Sequence, residues 1–210
     1  MLGWKVARVR PDLVPKWGAE RIAGPIFDAR DATAGAPSVA LIEGGFAAAE
    51  AEFILPIGRV PNGPVVTFDE AADAVGAVRV GIEVAGSPYA AINAHGPAVT
   101  VSDFGNNLGL VLGDDVSQAN AGEVAGWAVA SFLNGELVGS GDAGGLAGGP
   151  IDAARFLFEL AARYGLAVET GQWISTGAIT GGHPVAPGDE FEARFGNRER
   201  VSCHFGLQRP

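Results

Sequence analysis

Short apolar segments, most of them four to eight residues long, recur along the chain between glycines and prolines. This pattern predicts short strands that are joined by tight turns. In the last two segments, apolar and polar side chains alternate, as in a sheet with one buried face. The predicted strands are Trp4–Val9, Val39–Glu43, Ala48–Leu55, Val78–Val84, Ala98–Asp103, Leu108–Leu112, Glu123–Asn134, Glu136–Ser140, Gln172–Thr176, Glu190–Phe195 and Arg200–Phe205.

Two segments carry helical signals instead. Thr67 and Glu70 have the spacing of a capping box, which predicts a helix that continues to about Val75. Pro150 precedes apolar residues at helical spacing, and Gly165 is a suitable end for that helix. The sequence therefore predicts an α+β fold that is mostly β with covering helices. Because no linker, repeat or charge block interrupts the chain, we expect residues 1–210 to form one domain.

Composition and charge narrow the classes of function. The chain has 210 residues, of which 48% are hydrophobic, and its net charge of -10 argues against binding to nucleic acid or anionic lipid. No apolar run approaches the ~20 residues that a membrane span needs, and the first residues do not resemble a signal peptide. A single cysteine, Cys203, excludes an internal disulfide and fits a reducing compartment. We therefore expect a cytoplasmic protein with neither a membrane nor a nucleic-acid partner.

Three acidic residues are candidates for metal ligands. Glu50 and Glu52 alternate along one predicted strand, so both side chains lie on one face, opposite Ala51 and Phe53. For this pair alone, a solvated polar face is the simpler interpretation. Glu83 favours a metal site instead, because an unpaired carboxylate inside an apolar strand is costly to bury and a metal ion would remove this cost. Three carboxylates suit a hard cation such as Mg²⁺ or Mn²⁺ better than zinc.

The other candidate groups are less distinctive. Lys5 lies between Trp4 and Val6 in a predicted strand, where an outward, solvated lysine is the simplest interpretation. The three histidines do not have the spacing of metal ligands or of a nucleophilic triad. The glycines of Gly139–Gly144 match a nucleotide-binding pattern, but no helix follows them directly, so we do not expect nucleotide binding.

The motifs together resemble those of the 2-keto-4-pentenoate hydratase family, which includes 4-oxalocrotonate decarboxylases and belongs to the fumarylacetoacetate hydrolase superfamily. The resemblance covers nearly the whole chain. It is carried by Gly3-Trp4-Lys5-Val6, Glu50-Ala51-Glu52, Ile82-Glu83-Val84, Val101-Ser102-Asp103, Asn134-Gly135-Glu136, Gly149-Pro150, Thr176-Gly177-Ala178-Ile179-Thr180-Gly181 and Pro187-Gly188-Asp189.

This resemblance implies a mixed, curved β-roll in a homo-oligomer. It also implies a divalent-metal-dependent hydratase or decarboxylase that acts on a small 2-oxo-alkenoate, such as 2-oxopent-4-enoate, in the breakdown of aromatic compounds. Mg²⁺ or Mn²⁺ is the implied cofactor. The implied site residues are Glu50, Glu52 and Glu83 as metal ligands, Lys5 as the proton-handling cation, and Asp103 and Thr180 as substrate contacts.

The chain also departs from the family's pattern. Ile22 stands where an acid often precedes Gly24, and Gly86 and Pro88 lie where the family usually has an acid and an arginine. Phe104-Gly105-Asn106-Asn107 replaces the common N-A-S-S. Two alternatives therefore stay open: a C–C hydrolase of an acylpyruvate, which would need a His-Glu pair, and a non-catalytic scaffold or ligand-binding relative.

Overall fold

The computed structural model describes residues 1–116, 124, 126–145, 148–197 and 199–208. Within these ranges, thirteen strands form two sheets, and four α-helices lie in the connections. The strands are β1 Gly3–Arg8, β2 Arg21–Ile26, β3 Ala29–Asp31, β4 Ser38–Leu41, β5 Phe46–Pro56, β6 Arg79–Ser87, β7 Asn107–Asp115, β8 Ala128–Leu133, β9 Glu136–Asp142, β10 Trp173–Ser175, β11 His183–Pro184, β12 Glu190–Phe195 and β13 Glu199–Leu207. The helices are α1 Val14–Trp17, α2 Phe68–Ala74, α3 Pro97–Ser102 and α4 Gly149–Tyr164.

The larger sheet is mixed and curled, and it holds the candidate site. Its strand order is β2-β1-β10-β5-β6-β7-β3, with β11 paired to β5 away from this path. β1 runs parallel to β10, whereas β5 runs antiparallel to both β10 and β6. The second sheet has the order β4-β13-β12-β8-β9.

The hydrophobic core lies between the two sheets and under α4. β5 supplies alternate residues to it, including Ala51, Phe53 and Leu55, while Phe191 and Phe195 enter from β12. Because side chains alternate along a strand, burying this face of β5 directs Glu50 and Glu52 to the other face.

The predicted mostly-β fold with covering helices is confirmed. The Thr67–Glu70 capping box is present at the start of α2, and α4 ends at Gly165. The fully buried Cys203 lies on β13, and burial raises the pKa of its thiol to about 12. Of the predicted strand at 123–134, residues 128–133 form β8, and residues 123 and 125 lie outside the described residues.

One predicted strand is wrong, and three strands were missed. Residues 98–103 were expected to be extended because they include Val99, Thr100 and Val101, but they form α3 and its C-terminal end. Pro97 at the first helical position favours this helix. The missed strands are β2, β3 and β11.

The sequence predicts no membrane span, and the helices of the structure can be compared with the length and apolarity that a span requires. In the described part of the chain, no helix is both long enough and apolar enough to cross a bilayer.

Candidate metal centre and active site

Three carboxylates meet on one face of the curled sheet. Glu50 on β5 lies directly opposite Glu83 on β6, and Glu52 lies opposite Gly81, which has no side chain to fill the space. Carboxylate oxygens of Glu50, Glu52 and Glu83 lie within 4.8 Å of one another. The structure thus brings together the three acids that the sequence singled out.

The fully buried Glu52 is fixed by donors on only one of its oxygens. Its Oε2 accepts hydrogen bonds from Ser175 Oγ and from the backbone N–H of Gly177, the latter at 2.9 Å. Its Oε1 is buried and has no hydrogen-bond partner among the described residues. A buried carboxylate oxygen without a donor is costly, and a cation at this oxygen would remove the cost.

Glu83 is also held mainly through one oxygen. Its Oε1 accepts from the Lys5 ammonium at 2.6 Å and from Asn107 Nδ2 at 2.9 Å. Its Oε2 accepts a longer hydrogen bond, of 3.3 Å, from Ser175 Oγ. The strong donors therefore hold Glu83 by Oε1, while Oε2 shares a serine neighbour with Glu52.

Burial and mutual repulsion oppose ionisation of the two acids on β5. Burial, followed by the charge of Glu83, raises the pKa of Glu50 to about 7. Burial, with the charges of Glu83 and Glu50, raises the pKa of Glu52 well above its usual value. If all three acids ionise, Lys5 neutralises one of the three negative charges. One divalent cation would neutralise the remaining two. The donor set therefore fits Mg²⁺ or Mn²⁺.

Lys5 extends the cluster from β1 and is only 2% exposed. Burial lowers the pKa of an ammonium, but Glu83, supported by Glu50 and Glu52, more than offsets this effect and raises the pKa of Lys5 overall. Lys5 also donates to Asn106 Oδ1 at 3.2 Å. The lysine is thus a buried, charged part of the acidic cluster and not the solvated side chain of the simpler interpretation.

A cavity of about 350 Å³ opens beside Lys5 and Glu50. Its wall combines polar and apolar groups: Lys5, Ala7, Arg8, Val9, Arg10, Leu13, Ile22, Phe46, Glu50, Ala85, Asn93, Gly96, Pro97, Thr100 and Asn106. The ionisable side chains of this lining are one acid, one lysine and two arginines. The volume suits a small molecule, and the cations favour an anionic one.

The curated relatives of this chain match about half of its length. It is 29% identical over 106 residues to the 2-oxo-hept-4-ene-1,7-dioate hydratase of Escherichia coli, a match that spans 50% of this chain and 40% of that protein. It is 30% identical over 105 residues to the 4-oxalocrotonate decarboxylase of Pseudomonas sp. strain CF600, with the same coverage. No family model matches the chain.

Solved structures extend the likeness to nearly the whole fold. The 4-oxalocrotonate decarboxylase of Pseudomonas putida G7, complexed with magnesium and adipate, aligns over 98% of this chain and 78% of its own, with a TM-score of 0.83 and 25% identity. A maleylpyruvate hydrolase of Sphingobium sp. SYK-6, with manganese and pyruvate, covers 98% of this chain and 71% of its own, with a TM-score of 0.65 and 14% identity, which shows the fold alone.

The resemblance seen in the sequence is confirmed. The chain is similar to hydratases and decarboxylases of the fumarylacetoacetate hydrolase superfamily. One departure from that family's pattern lies in the cavity wall, where Ile22 presents an apolar side chain in place of the frequent acid. Of the ionisable groups that line this cavity, Lys5 and Glu50 can serve as a proton donor or acceptor, whereas the arginines stay protonated.

Thr180, expected to contact substrate as in the hydratase family, has its hydroxyl already engaged. This hydroxyl forms hydrogen bonds with Ser131 Oγ at 2.7 Å and with His183 Nε2 at 3.2 Å. Nearby, a Cβ added to Gly182 would lie 2.7 Å from Glu50 Oε1, so the backbone of this loop passes close to the acidic cluster. A substrate contact by Thr180 remains a prediction.

Asp103, the other expected substrate contact, lies at the C-terminal end of α3 and not on a strand. Its Oδ2 is buried without a hydrogen-bond partner among the described residues, and its carbonyl accepts from the N–H of Asn106 at 2.7 Å. Asp103 does not belong to the cavity lining described above. The structure connects it to the site through the backbone of Asn106, and its role remains a prediction.

Several supporting residues were not predicted as part of the site. Ser175 and Gly177 hold Glu52, while Asn106 and Asn107 hold Lys5 and Glu83. The two asparagines stood out in the sequence only as a departure from the family's pattern. Ser175 lay in a predicted strand, but the order of the strands, which sequence periodicity does not give, brings it beside β5.

Proposed function

We propose that this chain is a divalent-metal-dependent enzyme that acts on small 2-oxo acids. We further propose that its reaction is that of a lyase, the hydration of a 2-oxo-alkenoate such as 2-oxopent-4-enoate or the decarboxylation of a close analogue. The observation that carries the proposal is the cluster of Glu50, Glu52 and Glu83 with Lys5 beside a cavity.

The metal would be Mg²⁺ or Mn²⁺, held by the three glutamates. Similar structures contain these ions: magnesium in the decarboxylase of P. putida and manganese in the hydrolase of Sphingobium. When bound, such an ion acts as a Lewis acid that draws electron density from the carboxylate and 2-oxo group of a substrate. Ser175 and Gly177 keep Glu52 turned toward the cluster without adding a charge.

Lys5 would handle the proton and orient the substrate. Its ammonium is buried, ion-paired with Glu83 and part of the cavity wall, so a ligand in the cavity meets a charged donor with little competing water. A positioned acid or base of this kind contributes roughly 10²- to 10⁴-fold to a rate. Hydration of a conjugated 2-oxo acid requires such a proton transfer when water adds to the double bond.

A C–C hydrolase of an acylpyruvate receives less support from the site. Water activation by a His-Glu pair would need a histidine beside the acids. In the described residues, His183 bonds to Thr180, His95 bonds to Tyr89, and His204 approaches Glu190 on the surface at 3.9 Å. Within the part of the chain that the structure describes, none of these histidines has a hydrogen bond or ion pair with Glu50, Glu52 or Glu83, and burial lowers the pKa of His183.

The test is a set of assays on the metal-loaded protein with three substrate classes. Hydration removes the ultraviolet absorbance of a 2-oxo-alkenoate, decarboxylation of 4-oxalocrotonate releases carbon dioxide, and cleavage of an acylpyruvate releases pyruvate. We expect turnover in the first or second assay that a chelator abolishes and Mg²⁺ or Mn²⁺ restores. Turnover in the third assay alone would identify a C–C hydrolase, and retained metal without turnover in any assay would identify a binding protein.

A further inference from the structure

A strained segment lies against Lys5. Phe104, Gly105 and Asn106 have consecutive positive φ angles of 53°, 76° and 52°. Residues other than glycine rarely adopt this left-handed region, and each costs free energy unless the surroundings fix it. Two such residues around one glycine therefore indicate a segment that the fold holds in place.

Two glycines allow this segment to approach β1 and β2 closely. A Cβ added to Gly24 on β2 would lie 2.2 Å from the carbonyl oxygen of Phe104, a steric clash with backbone. A Cβ added to Gly105 would lie 3.0 Å from Cδ of Lys5. The left-handed segment is thus packed directly on the aliphatic part of the lysine side chain.

The packing places the amide of Asn106 on the Lys5 ammonium. Asn106 is 6% exposed, its Oδ1 accepts from Lys5 Nζ at 3.2 Å, and its Nδ2 donates to Asn93 Oδ1 at 3.4 Å. An ammonium has three N–H donors. Glu83 takes one and Asn106 takes a second, which directs the third away from both residues.

We propose that Asn106 is a positioning residue that fixes the direction of the Lys5 ammonium for a ligand in the cavity. An ion pair with Glu83 alone permits the ammonium to rotate and shift, whereas a second acceptor at a different angle restricts it. This inference rests on the proposed function for its consequence in catalysis. Its structural content, the restraint of one ammonium by one amide, can be measured separately.

The composition of the chain makes that measurement simple. The sequence contains two lysines, Lys5 and Lys16. Lys16 is exposed on α1, so a protein labelled with ¹⁵N-lysine carries one buried ammonium and one solvated ammonium as an internal reference. The probe is the rate at which the Lys5 N–H protons exchange with water, at one fixed pH.

The central variant is Asn106→Gly, which removes the amide and accepts a positive φ without strain. We expect its Lys5 exchange rate to rise at least about tenfold, the factor that corresponds to about 1.4 kcal/mol for a lost charge-assisted hydrogen bond. Asn106→Asp retains an acceptor oxygen and tolerates the left-handed conformation, so slow exchange should persist. Asn134→Gly is the matched control, because Asn134 also has a positive φ of 51° but bonds to Asp189.

Asn93→Ala is a second test that does not depend on the left-handed segment. It removes the acceptor of the Asn106 amide on an exposed residue and should raise Lys5 exchange by a smaller factor than Asn106→Gly. Lys5 exchange within twofold of wild type in both Asn106→Gly and Asn93→Ala would overturn the proposal. So would equal acceleration in Asn134→Gly, because general loosening of the fold would then explain the result.

Turnover provides the link to the proposed function. Asn106→Gly should lower kcat by about tenfold or more, with a smaller change in KM, because a misdirected group mainly affects the reacting geometry. Its Mn²⁺ affinity should stay within twofold of wild type, since Asn106 contacts the lysine and not the three acids. Faster exchange with unchanged kcat would refute the role in catalysis. Absence of turnover in the wild type would refute the proposed function, while the exchange rates would still decide whether Asn106 restrains Lys5.

Discussion

Lys5 Nζ and Glu83 Oε1 are 2.6 Å apart although two strands, β10 and β5, separate their own strands in the sheet. In a flat sheet, β1 and β6 would lie about 14 Å apart. The curl of the sheet and the length of the two side chains close this gap. The buried ion pair therefore depends on the curvature of the sheet, and it connects the acidic cluster with the cavity wall.

Replacement of Lys5 by alanine tests the role of this ammonium. We expect Lys5→Ala to lower turnover of a 2-oxo-alkenoate by roughly 10²-fold or more, the scale of a lost general acid or base. Bound metal should be retained, because the substitution removes a competing positive charge and no carboxylate. The measurement is steady-state turnover together with metal content, and Lys16→Ala is the matched control. Turnover within about threefold of wild type would mean that Lys5 is only a strand residue.

Proton binding by Glu50 should make the metal-free protein lose stability as the pH rises. The pKa of Glu50 is raised from 4.5 to about 7 by burial and by Glu83, so the folded state binds more protons than the unfolded state in this window. The stabilisation is full below about pH 4.5 and is lost as the pH rises through about 7. Urea unfolding at several pH values, with a chelator present, measures this loss.

Two comparisons isolate the contribution of Glu50. Glu50→Gln should flatten the loss of stability between pH 5 and pH 7, roughly the window set by the two pKa values, whereas the exposed Glu43→Gln should not. With saturating Mg²⁺, the stability of the wild type should instead rise with pH, because the metal binds the deprotonated carboxylates of the folded state. Equal pH dependence in wild type and Glu50→Gln would contradict the raised pKa.

Ser175 should tune the affinity for metal without being a ligand. Its hydroxyl bonds to Glu52 Oε2 and lies 3.3 Å from Glu83 Oε2. Removing a partner that orients a metal ligand typically costs about 10- to 100-fold in affinity. We expect a loss of this size for Mn²⁺ binding to Ser175→Ala in calorimetric titration. Ser131→Ala is the matched control, since Ser131 is equally buried but bonds to Thr180.

The surface of the chain predicts self-association. The rings of Phe27 and Phe104 pack edge to face, with their centroids 5.6 Å apart. Phe27 is 58% exposed and Phe104 is 56% exposed, and Val101 on α3 is also exposed. Large exposed apolar groups of this kind favour burial against another subunit. Light scattering at micromolar concentration should give an oligomer, and Phe27→Glu should weaken it more than Phe68→Glu on α2. A monomer mass for the wild type would refute this prediction.

Alternation along β5 was sufficient to predict that Glu50 and Glu52 share a face. The cost of burying Glu83 then pointed to the third acid of the cluster. What periodicity could not supply was strand order, and hence the contact of Ser175 with Glu52 across β10 and β5. Sheet order depends on pairing between segments that are distant in sequence, which local patterns do not encode.

Local preferences misled the assignment in two places. β-branched residues at 99–101 favour a strand, but Pro97 starts a helix there. β2 was not predicted; it contains Pro25, a residue that local preference disfavours in a strand, but β2 lies at the edge of its sheet, where a missing N–H is tolerated. The left-handed segment Phe104–Asn106 packs on Lys5 and Gly24 through Phe104 and Gly105, a tertiary contact that local sequence preferences do not predict.

The most direct test of the account is Mn²⁺ binding to wild type, Glu52→Gln and Glu43→Gln, measured by calorimetry on protein freed of metal by chelation. Glu52→Gln keeps the size of the side chain but replaces a cluster carboxylate with a neutral amide. We predict one Mn²⁺ per chain for wild type and for the exposed control Glu43→Gln, and at least about 100-fold weaker binding for Glu52→Gln. Equal Mn²⁺ affinity in all three proteins, or no binding to the wild type, would contradict it.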